Sequence, residues 1–464
     1  MLSMQTENRQ LTCAEIFSGQ RVLVVGLGDT GLSCVRFLYA RGVELAVTDS
    51  RLLPPGLKIL QEEFPDVGVF VGGFDQQAIA SADVLLLSPG VSLKTSEIAT
   101  AVAQGKTVIG DIEVFARCVD KPVAAITGSN GKSTVTALLG EMARVARKQV
   151  YVGGNIGTPA LQLVEHNQDA QLYVLELSSF QLETTYSLDA AASVILNISE
   201  DHMDRYATLA EYAQAKARIY HGSGAIVINQ DDAYVEALAH ELGTQREVFR
   251  FTLGKPLDER CFGVVQKDGL ALLARGKQAL LPVDEIRIKG QHNVANALAC
   301  LALGTAVGLP MPAMLEALRE FPGLPHRTQW VAEQHGVQWF NDSKATNVGA
   351  ALAAISGLTA NTLFVILGGQ GKGQDFSPLR DVLAARNSHA LLLGEDADRI
   401  ASALGDRIPQ TRVKDMAQAV DTAQRLAKAG DVVLLSPACA SFDMFNGYAH
   451  RGQVFMQLVK EAVQ

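Results

Sequence analysis

The chain of 464 residues reads as an α/β protein built on parallel sheets with helices on both faces. Three observations lead there. Short apolar runs recur from one end to the other, each followed by a segment of helical period. Hydrophobic residues make up 48% and charged residues 19%, the balance of compact domains rather than of a disordered chain. The length exceeds what one ordinary core holds, so two to four domains are expected.

Composition also excludes some functions. The net charge is −9, from 40 basic and 49 acidic side chains spread without long blocks. No basic arm is offered to nucleic acid or to a membrane surface, and an anionic ligand must be held by local features against the overall charge. The cysteines (Cys13, Cys34, Cys118, Cys261, Cys300 and Cys439) are scattered without metal-type pairing. They are expected to be reduced, small core residues. Met1–Leu11 is polar and has no apolar signal core, so export is not expected and a cytoplasmic location is. The uncharged stretch Val294–Leu315 is long enough to raise a membrane span. Gly304, Gly308, Pro310 and Pro312 interrupt it, and a buried helix ending near Gly308 is expected instead.

The first block opens with a buried strand, Arg21–Gly26, then a glycine turn and an amphipathic helix through Phe37. Strands follow at Glu44–Thr48, Val84–Leu87 and Thr107–Ile109. The turn Gly26-Leu-Gly28-Asp29-Thr30-Gly31 fits the dinucleotide pattern of a Rossmann-like unit, with Asp49 at about the right distance for a ribose. The same turn serves any diphosphate, including that of a UDP-sugar. Ser88-Pro89-Gly90, at a later strand end, would add a second wall. Asp29 would repel a diphosphate unless its carboxylate is turned outward.

The second block begins near Pro122. The apolar run from Val123 delivers the backbone into Gly128-Ser129-Asn130-Gly131, and a helix starts at Lys132-Ser133-Thr134 with Leu138, Leu139, Met142 and Val145 inward. Free N–H groups and a helix N-terminus then point at one spot, where a polyphosphate can sit. Lys132 would reach its terminal phosphates, and the hydroxyl of Ser133 or Thr134 would meet a divalent cation. Ile126 stands where the usual P-loop has its first glycine, so the loop is a shortened variant. Strands are expected at Leu172–Leu177, Ser193–Ile198 and Ala225–Asn229, and an Ala-rich helix after Gln291. Glu176, at the end of an apolar strand, occupies the place of a magnesium ligand. The cluster Ser199-Glu-Asp201-His202-Met-Asp204-Arg205 follows another strand. It can be read as a solvated loop or as a metal or substrate site, in which His202 gives a neutral nitrogen to a cation.

A Pro/Gly-rich hinge, Phe321–His326, separates the third block. There, strands at Gln338–Asn341, Phe364–Leu367, Ala390–Leu393 and Val432–Leu435 alternate with helical segments. Asn341-Asp342-Ser-Lys344-Ala-Thr346-Asn347 ends a strand and starts a helix, where its polar groups can cap the helix or bind a ligand. Gly368-Gly369-Gln-Gly371-Lys372-Gly373 and Ser436-Pro-Ala-Cys-Ala-Ser441 are two more such turns. Three in one block suggest a substrate lying across the sheet edge, at the carboxyl ends of the strands.

Taken in this order, Thr127–Ser133, Glu176–Glu183, Asp201–Arg205, His326-Arg327, Asn341–Asn347 and Ser436–Ser441 closely resemble the Mur ligase family. These are ATP-dependent enzymes that build the peptide of bacterial cell-wall precursors. The resemblance runs from about Gly26 to Gly452 and implies three domains. Residues 1–112 would be a Rossmann-like UDP-sugar domain, 113–323 a P-loop ATPase-like domain, and 324–464 a Rossmann-like amino-acid domain. Within the family the pattern is similar to members that add D-glutamate to UDP-N-acetylmuramoyl-L-alanine through an acyl phosphate. The Asp-Asn-Pro-Arg pattern of the diaminopimelate- or lysine-adding members is missing.

The resemblance also implies roles. Gly128, Ser129, Asn130, Gly131, Lys132, Ser133 and Thr134 hold the ATP phosphates. Ser133, Glu176 and His202 serve two Mg²⁺ ions, and Asn155 lies near the transferred phosphate. Lys216 matches a lysine that is carbamylated in the family and then faces the metal; from sequence alone it is an ordinary helix-surface lysine. A free lysine, with pKa near ~10.4, would repel Mg²⁺, whereas a carbamate is anionic and offers oxygen ligands. Lys132, His202 and Lys216 form the implied catalytic set. Asn293 and Asn296 match positions near adenine, and Arg327 and Asp342 match nucleotide contacts. Thr346, Lys372 and Ser441 match the D-glutamate pocket with Lys344 beside it, and Tyr448 stands where an aromatic ring packs on that amino acid. Gly28, Asp29, Thr30, Asp49, Ser50, Arg51, Ser88, Pro89, Gly90, Asn155 and His202 fall on the UDP-sugar side, with Asp29 replacing an apolar residue. A monomer with no nucleic-acid partner and no membrane insertion is expected.

Three rivals stand beside this reading. A nicotinamide-dependent oxidoreductase rests on the first glycine turn but leaves the second phosphate loop, Glu176 and His202 without a purpose. A non-enzymatic nucleotide-gated module would bind without releasing phosphate. The folate-polyglutamate ligases share the phosphate loop and the domain plan.

Overall fold

The computed structural model describes residues 17–165, 169–203, 205–241 and 246–463. Cys13 and Asp204, named above, lie outside them, as does Met1–Leu11. Three sheets follow one another along the chain. The first contains β1 (Arg21–Val25), β2 (Glu44–Asp49), β3 (Gly68–Val71), β4 (Val84–Leu87) and β5 (Thr107–Gly110), in the order β3-β2-β1-β4-β5 and all parallel. Strand order reverses at β1, so the crevice beyond its carboxyl end lies between the turns after β1 and β4. Those two turns touch: the Ser88 hydroxyl donates to the Gly26 carbonyl at 2.7 Å.

The second sheet contains β6 (Val123–Thr127), β7 (Val150–Gly154), β8 (Leu172–Glu176), β9 (Ala192–Ile195), β10 (Ala225–Asn229), β11 (Val248–Phe251), β12 (Cys261–Lys267), β13 (Leu270–Arg275) and β14 (Gln278–Pro282). Its order is β14-β13-β12-β11-β10-β9-β6-β8-β7. Strands β6 and β8 are buried along their whole length, which is why both read as continuous apolar runs. Their parallel register sets Ile126 beside Glu176, so the phosphate loop and the carboxylate leave the sheet at the same level. Strand β9 ends at Ile195, short of the expected Ile198. Beyond it the chain serves the phosphate loop instead: Leu196 N–H donates to the Thr127 carbonyl and Ser129 N–H to that of Asn197, both at 2.9 Å.

The third sheet contains β15 (Gln329–Gln334), β16 (Val337–Asn341), β17 (Leu363–Gly368), β18 (Ser388–Leu393), β19 (Gln410–Arg412) and β20 (Val432–Leu435). Its order is β15-β16-β20-β17-β18-β19. The expectation of parallel pairing throughout fails at two edges, since β12-β13-β14 and β15-β16 are antiparallel. The cause is local. Asp268-Gly269, Gly276-Lys277 and His335-Gly336 are two-residue turns with positive φ at Asp268, Gly269, Gly276, His335 and Gly336. A two-residue turn returns the strand on itself and leaves no room for a crossover helix.

Packing joins the first two blocks. One apolar core runs from Val24 and Phe37 through Phe115 to Tyr173 and Leu175, and the Phe115 and Tyr173 rings meet edge-on at 5.3 Å. The helices Lys132–Val145, Gln291–Ala306 and Met311–Glu320 contribute to a separate core of the second block. The helix Gln291–Ala306 is buried around most of its circumference and stops just before Gly308, whose φ is 76°. No helix among the described residues is long and apolar enough to cross a membrane. Cys34, Cys261, Cys300 and Cys439 are buried free thiols.

Close approach explains one glycine in the first turn and not another. A Cβ at Gly31 would lie 2.0 Å from the Gly26 carbonyl oxygen, because the helix Asp29–Tyr39 packs straight onto the end of β1. A Cβ at Gly28 would meet nothing within 4 Å. Gly31→Ala is therefore expected to destabilise the protein by about 1–3 kcal/mol through overpacking. Gly28→Ala should stay within about 0.5 kcal/mol. Urea midpoints of the two variants check this, and equal midpoints would contradict it.

Candidate active site

The phosphate loop is held from below. Gly128 and Gly131 adopt φ of 149° and 85°, conformations open to glycine. Asn130 N–H donates to Asn197 Oδ1 at 2.8 Å and Asn197 Nδ2 returns a bond to the Asn130 carbonyl at 3.0 Å. Ser129 Oγ donates to the Ser199 carbonyl and accepts from Ser199 N–H, both at 2.9 Å. The helix Lys132–Val145 then starts with no side-chain cap, leaving its first N–H groups for an anion. Lys132 Nζ folds over this loop and donates to the carbonyls of Gly128 (2.7 Å) and Ser129 (2.9 Å). Burial lowers its pKa, while Glu176 and Asp201 pull the other way.

Glu176 is 3% exposed at the end of β8. Its Oε1 accepts from Asn155 Nδ2 at 2.8 Å, and its Oε2 is buried without a partner. A buried carboxylate oxygen lacking a donor is costly unless a cation or proton meets it. That orphaned oxygen fits a divalent metal. Among the described residues no group of three or more His, Cys, Asp or Glu could hold a metal ion. Magnesium does not need such a cage, since it is usually bound by one or two carboxylates plus phosphates and water.

Lys216 departs from its bland sequence reading. It is 1% exposed, on the same buried face of the helix Leu209–Ala217 as Tyr212 and Ala213. Its Nζ donates to the Gly128 carbonyl at 3.0 Å and to Thr127 Oγ1 at 3.3 Å, and lies 4.6 Å from the Tyr212 ring centroid. Burial, then the neighbouring Lys132, push its pKa well below that of a free lysine. Both causes favour the neutral, nucleophilic amine over the ammonium.

A cleft of about 840 Å³ lies between the second and third blocks. Lys132, Ser133, Thr134, Asn155, Glu176, Asn293 and Asn296 line one side; Arg327, Asp342, Lys344, Thr346 and Tyr448 line the other. Asn296 Nδ2 donates to Asn293 Oδ1 at 3.1 Å, fixing the two amides as a pair. Arg327 bridges the walls, with Nη2 donating to Ser133 Oγ at 2.9 Å. Asp342 accepts from Thr328 N–H (3.0 Å) and the Ser436 hydroxyl (2.8 Å), and burial pushes its pKa up to about 7. Lys344 Nζ sits 3.8 Å from the Tyr448 ring centroid, and burial brings its pKa down to about 8. Cationic side chains thus gather in a chain that is acidic overall, which suits a polyanionic ligand.

Other residues named from the sequence lie elsewhere. His202 is half-exposed and does not line the cleft; its ring packs 4.7 Å from Phe180 and its φ is 56°. Lys372 is exposed and Ser441 buried, and neither lines the cleft. Their loops are joined by a bridge between Gln370 and Ala440, and Gln374 Oε1 accepts from Val348 N–H beside Thr346 at 2.9 Å. In the first block Asp29 is exposed at its helix start, so its carboxylate does turn outward, next to Gly28 and Thr30. Asp49 is buried with both oxygens engaged, by Leu27 N–H (2.7 Å) and by the Arg51 backbone and guanidinium (2.7–2.9 Å). Burial alone would raise its pKa, but these donors hold it at about 2. Ser50 is exposed beside it. Residues to which the sequence reading gave no role include Asn197 and His292, the latter lining the cleft with its buried Nδ1 unpartnered. A lone polar residue near the end of an apolar strand was the available signal for Asn197; His292 had none.

The chain can now be set beside known proteins. Residues 20–110 match the Mur ligase MurD-like N-terminal domain, residues 126–304 the Mur ligase middle domain, and residues 326–439 the Mur ligase glutamate ligase domain. A UDP-N-acetylmuramoylalanine–D-glutamate ligase of Nitrosococcus oceani is 55% identical over 441 residues, covering 95% of this chain and 96% of that one. Its namesake from Pseudomonas fluorescens is 52% identical over 442 residues, covering 95% and 97%. Among solved structures, MurF from Acinetobacter baumannii superposes with a TM-score of 0.59 at 16% identity, covering 95% of this chain and 93% of that one. The chain belongs to the Mur ligase family.

Proposed function

We propose that this chain joins D-glutamate to the alanine carboxyl of UDP-N-acetylmuramoyl-L-alanine, consuming ATP and releasing ADP and phosphate. One observation carries the reading beyond kinship. A single cleft opposes a phosphate loop and an orphaned carboxylate to Lys344, Thr346 and Tyr448 on another domain. The printed names of relatives more than half identical supply the substrates.

A carboxylate is a poor electrophile, because its leaving group would be oxide. The alanine carboxylate oxygen attacks the γ-phosphorus of ATP, the bond to the bridging oxygen breaks, and ADP leaves with that electron pair. The acyl phosphate formed has phosphate as leaving group. The deprotonated amine of D-glutamate adds to its carbonyl carbon, and phosphate departs from the tetrahedral intermediate. The protein mainly holds two anions together. Gly128–Thr134 cradle the phosphates, Lys132 leaves its own loop carbonyls for the terminal phosphate, and Arg327 spans both walls. Asn293 and Asn296 face adenine, with Asp342 on the nucleotide side. Lys344, Thr346 and Tyr448, joined on closure by Lys372 and Ser441, receive D-glutamate. Gly28–Thr30, Asp49–Arg51 and Ser88–Gly90 take the UDP-sugar, whose alanine end reaches Asn155 and His202.

Family members use Mg²⁺ with ATP, and here Ser133, Glu176 and His202 would hold two ions, which supply charge neutralisation for the phosphoryl group. Lys216 is carbamylated in this reading: its neutral amine adds to CO₂, a proton is lost, and an anionic carbamate replaces a cation. Closure about Pro322–Pro325 excludes water from the acyl phosphate. The domains are 1–112, 113–323 and 324–464, in a monomer of the bacterial cytoplasm.

Phosphate release should require ATP, UDP-N-acetylmuramoyl-L-alanine and D-glutamate together, and fail with L-glutamate. Lys132→Ala should lower kcat by about 10²–10³, the scale of one preorganised donor. Turnover close to wild type in the folded variant would refute that role. Protein equilibrated with ¹³C-bicarbonate should show a carbamate carbonyl resonance that Lys216→Ala abolishes. A spectrum unchanged by the substitution would place any carbamate elsewhere.

A further inference from the structure

The first and second blocks meet along a seam, and one side chain crosses it at the wall of the first-block crevice. Arg205 Nη1 donates to the Pro89 carbonyl at 3.0 Å, and Nη2 donates to Val91 O at 3.4 Å and Glu183 Oε2 at 2.5 Å. The arginine is 11% exposed and its carboxylate partner 16%, so water does little to screen the pair. The guanidinium carbon lies 4.1 Å from the Phe180 ring centroid, and His202 packs on the same ring at 4.7 Å. Arg205 N–H also donates to the His202 carbonyl at 2.9 Å, and Tyr206 N–H does so at 3.2 Å. These bonds close the turn that keeps His202 at φ 56°, a conformation rare for a residue with a side chain.

Arg205 therefore grips two things at once. Its fork takes the carbonyls of the Ser88–Val91 turn, and its backbone and the shared Phe180 ring hold His202. A planar guanidinium can meet two carbonyls and a carboxylate together; an ammonium on a flexible stem cannot do so in one geometry. We propose that Arg205 is a positioning residue for the ligase reaction, fixing the sugar-pocket wall and the His202 turn as one unit. The acyl substrate and the phosphoryl-transfer groups then share a common register across two domains. The inference rests on the reading above that Ser88–Gly90 walls the sugar site and that His202 serves the transfer. Lys94 reaches the same turn, its Nζ donating to the Arg205 carbonyl at 3.3 Å and pairing with Glu211 at 2.6 Å, whereas the exposed pair of Arg319 with Glu285, at 2.7 Å, lies away from this seam.

Amide hydrogen exchange and steady-state kinetics on the full chain test this, with wild type, Arg205→Lys, Arg205→Ala and Arg319→Ala. In Arg205→Lys the amides of Val91, Arg205 and Tyr206 should exchange about tenfold faster through local opening, with those of β6 unchanged. Its kcat should fall by about 10²-fold and its KM for the UDP-sugar rise, while KM for ATP stays within about twofold. Arg205→Ala should be at least as impaired; if it does not fold, Arg205→Lys decides. Arg319→Ala should match wild type in both readouts, as expected of a screened surface pair. Unchanged exchange at Val91 and at Tyr206 in Arg205→Lys would overturn the clamp. Faster exchange with unaltered kinetics would overturn its role in the reaction. If the wild type released no phosphate from these substrates, the functional reading would fall, while the exchange data would still decide whether the two loops move as one.

Discussion

The constraint on which the rest depends is the alignment of β6 with β8. Both are wholly buried parallel strands, and their register puts Ile126 level with Glu176. The phosphate loop and the acidic residue are therefore delivered to one place by hydrogen bonds of the sheet, with no flexible segment between them. Asn155, at the end of the neighbouring β7, completes the edge by bonding one oxygen of Glu176 and leaving the other bare. An unpaired carboxylate oxygen in such a place is a standing electrostatic cost, which a bound cation relieves in the function proposed above.

Around that point the chain arranges cations in two tiers. Lys132 and Lys216 both donate to the Gly128 carbonyl, one from the loop's own helix and one from beneath. Two ammonium groups cannot share one carbonyl without raising each other's energy, and burial makes this worse. Both effects favour loss of charge at Lys216, and a carbamate forms from the neutral amine. Arg327 and Lys344 reach the same cleft from the third block. These like charges repel one another across the cleft, and a polyphosphate between the walls, as in the function proposed above, would offset that repulsion.

The sequence made the strand–turn–helix around Gly128 legible because its features are local: an apolar run, glycines where φ must be positive, then helical periodicity. The same holds for the turn after β1 and for the buried helix Gln291–Ala306. Strands β12–β14 and β15 were not seen, although Asp268-Gly269 and His335-Gly336 are ordinary hairpin signals. These strands are partly exposed, and an apolar run such as Leu270–Ala274 is too short for sequence alone to tell strand from helix. Lys216 was opaque for a different reason. Helical periodicity says which residues share a face but not which face turns inward, and nothing local distinguishes a buried lysine from a solvated one. Arg205 was visible only as part of a charged cluster, because its partners Pro89, Val91 and Glu183 are set by tertiary packing. Family resemblance supplied roles for Lys216 and Lys372 that spacing could not. The structure then separated them, one under the phosphate loop and the other on an exposed turn outside the cleft.

In the proposed reaction the bare oxygen of Glu176 is a metal position beside the transferred phosphate. A crystal structure with Mn²⁺, a non-hydrolysable ATP analogue and the UDP-sugar tests it most directly, through the anomalous signal of the metal. An anomalous peak is expected within about 2.0–2.3 Å of Glu176 Oε2 and in contact with a γ-phosphate oxygen, the geometry of a hard cation bound by a carboxylate and phosphates. Nucleotide bound in the cleft with no metal at Glu176, and that oxygen still bare, would contradict it.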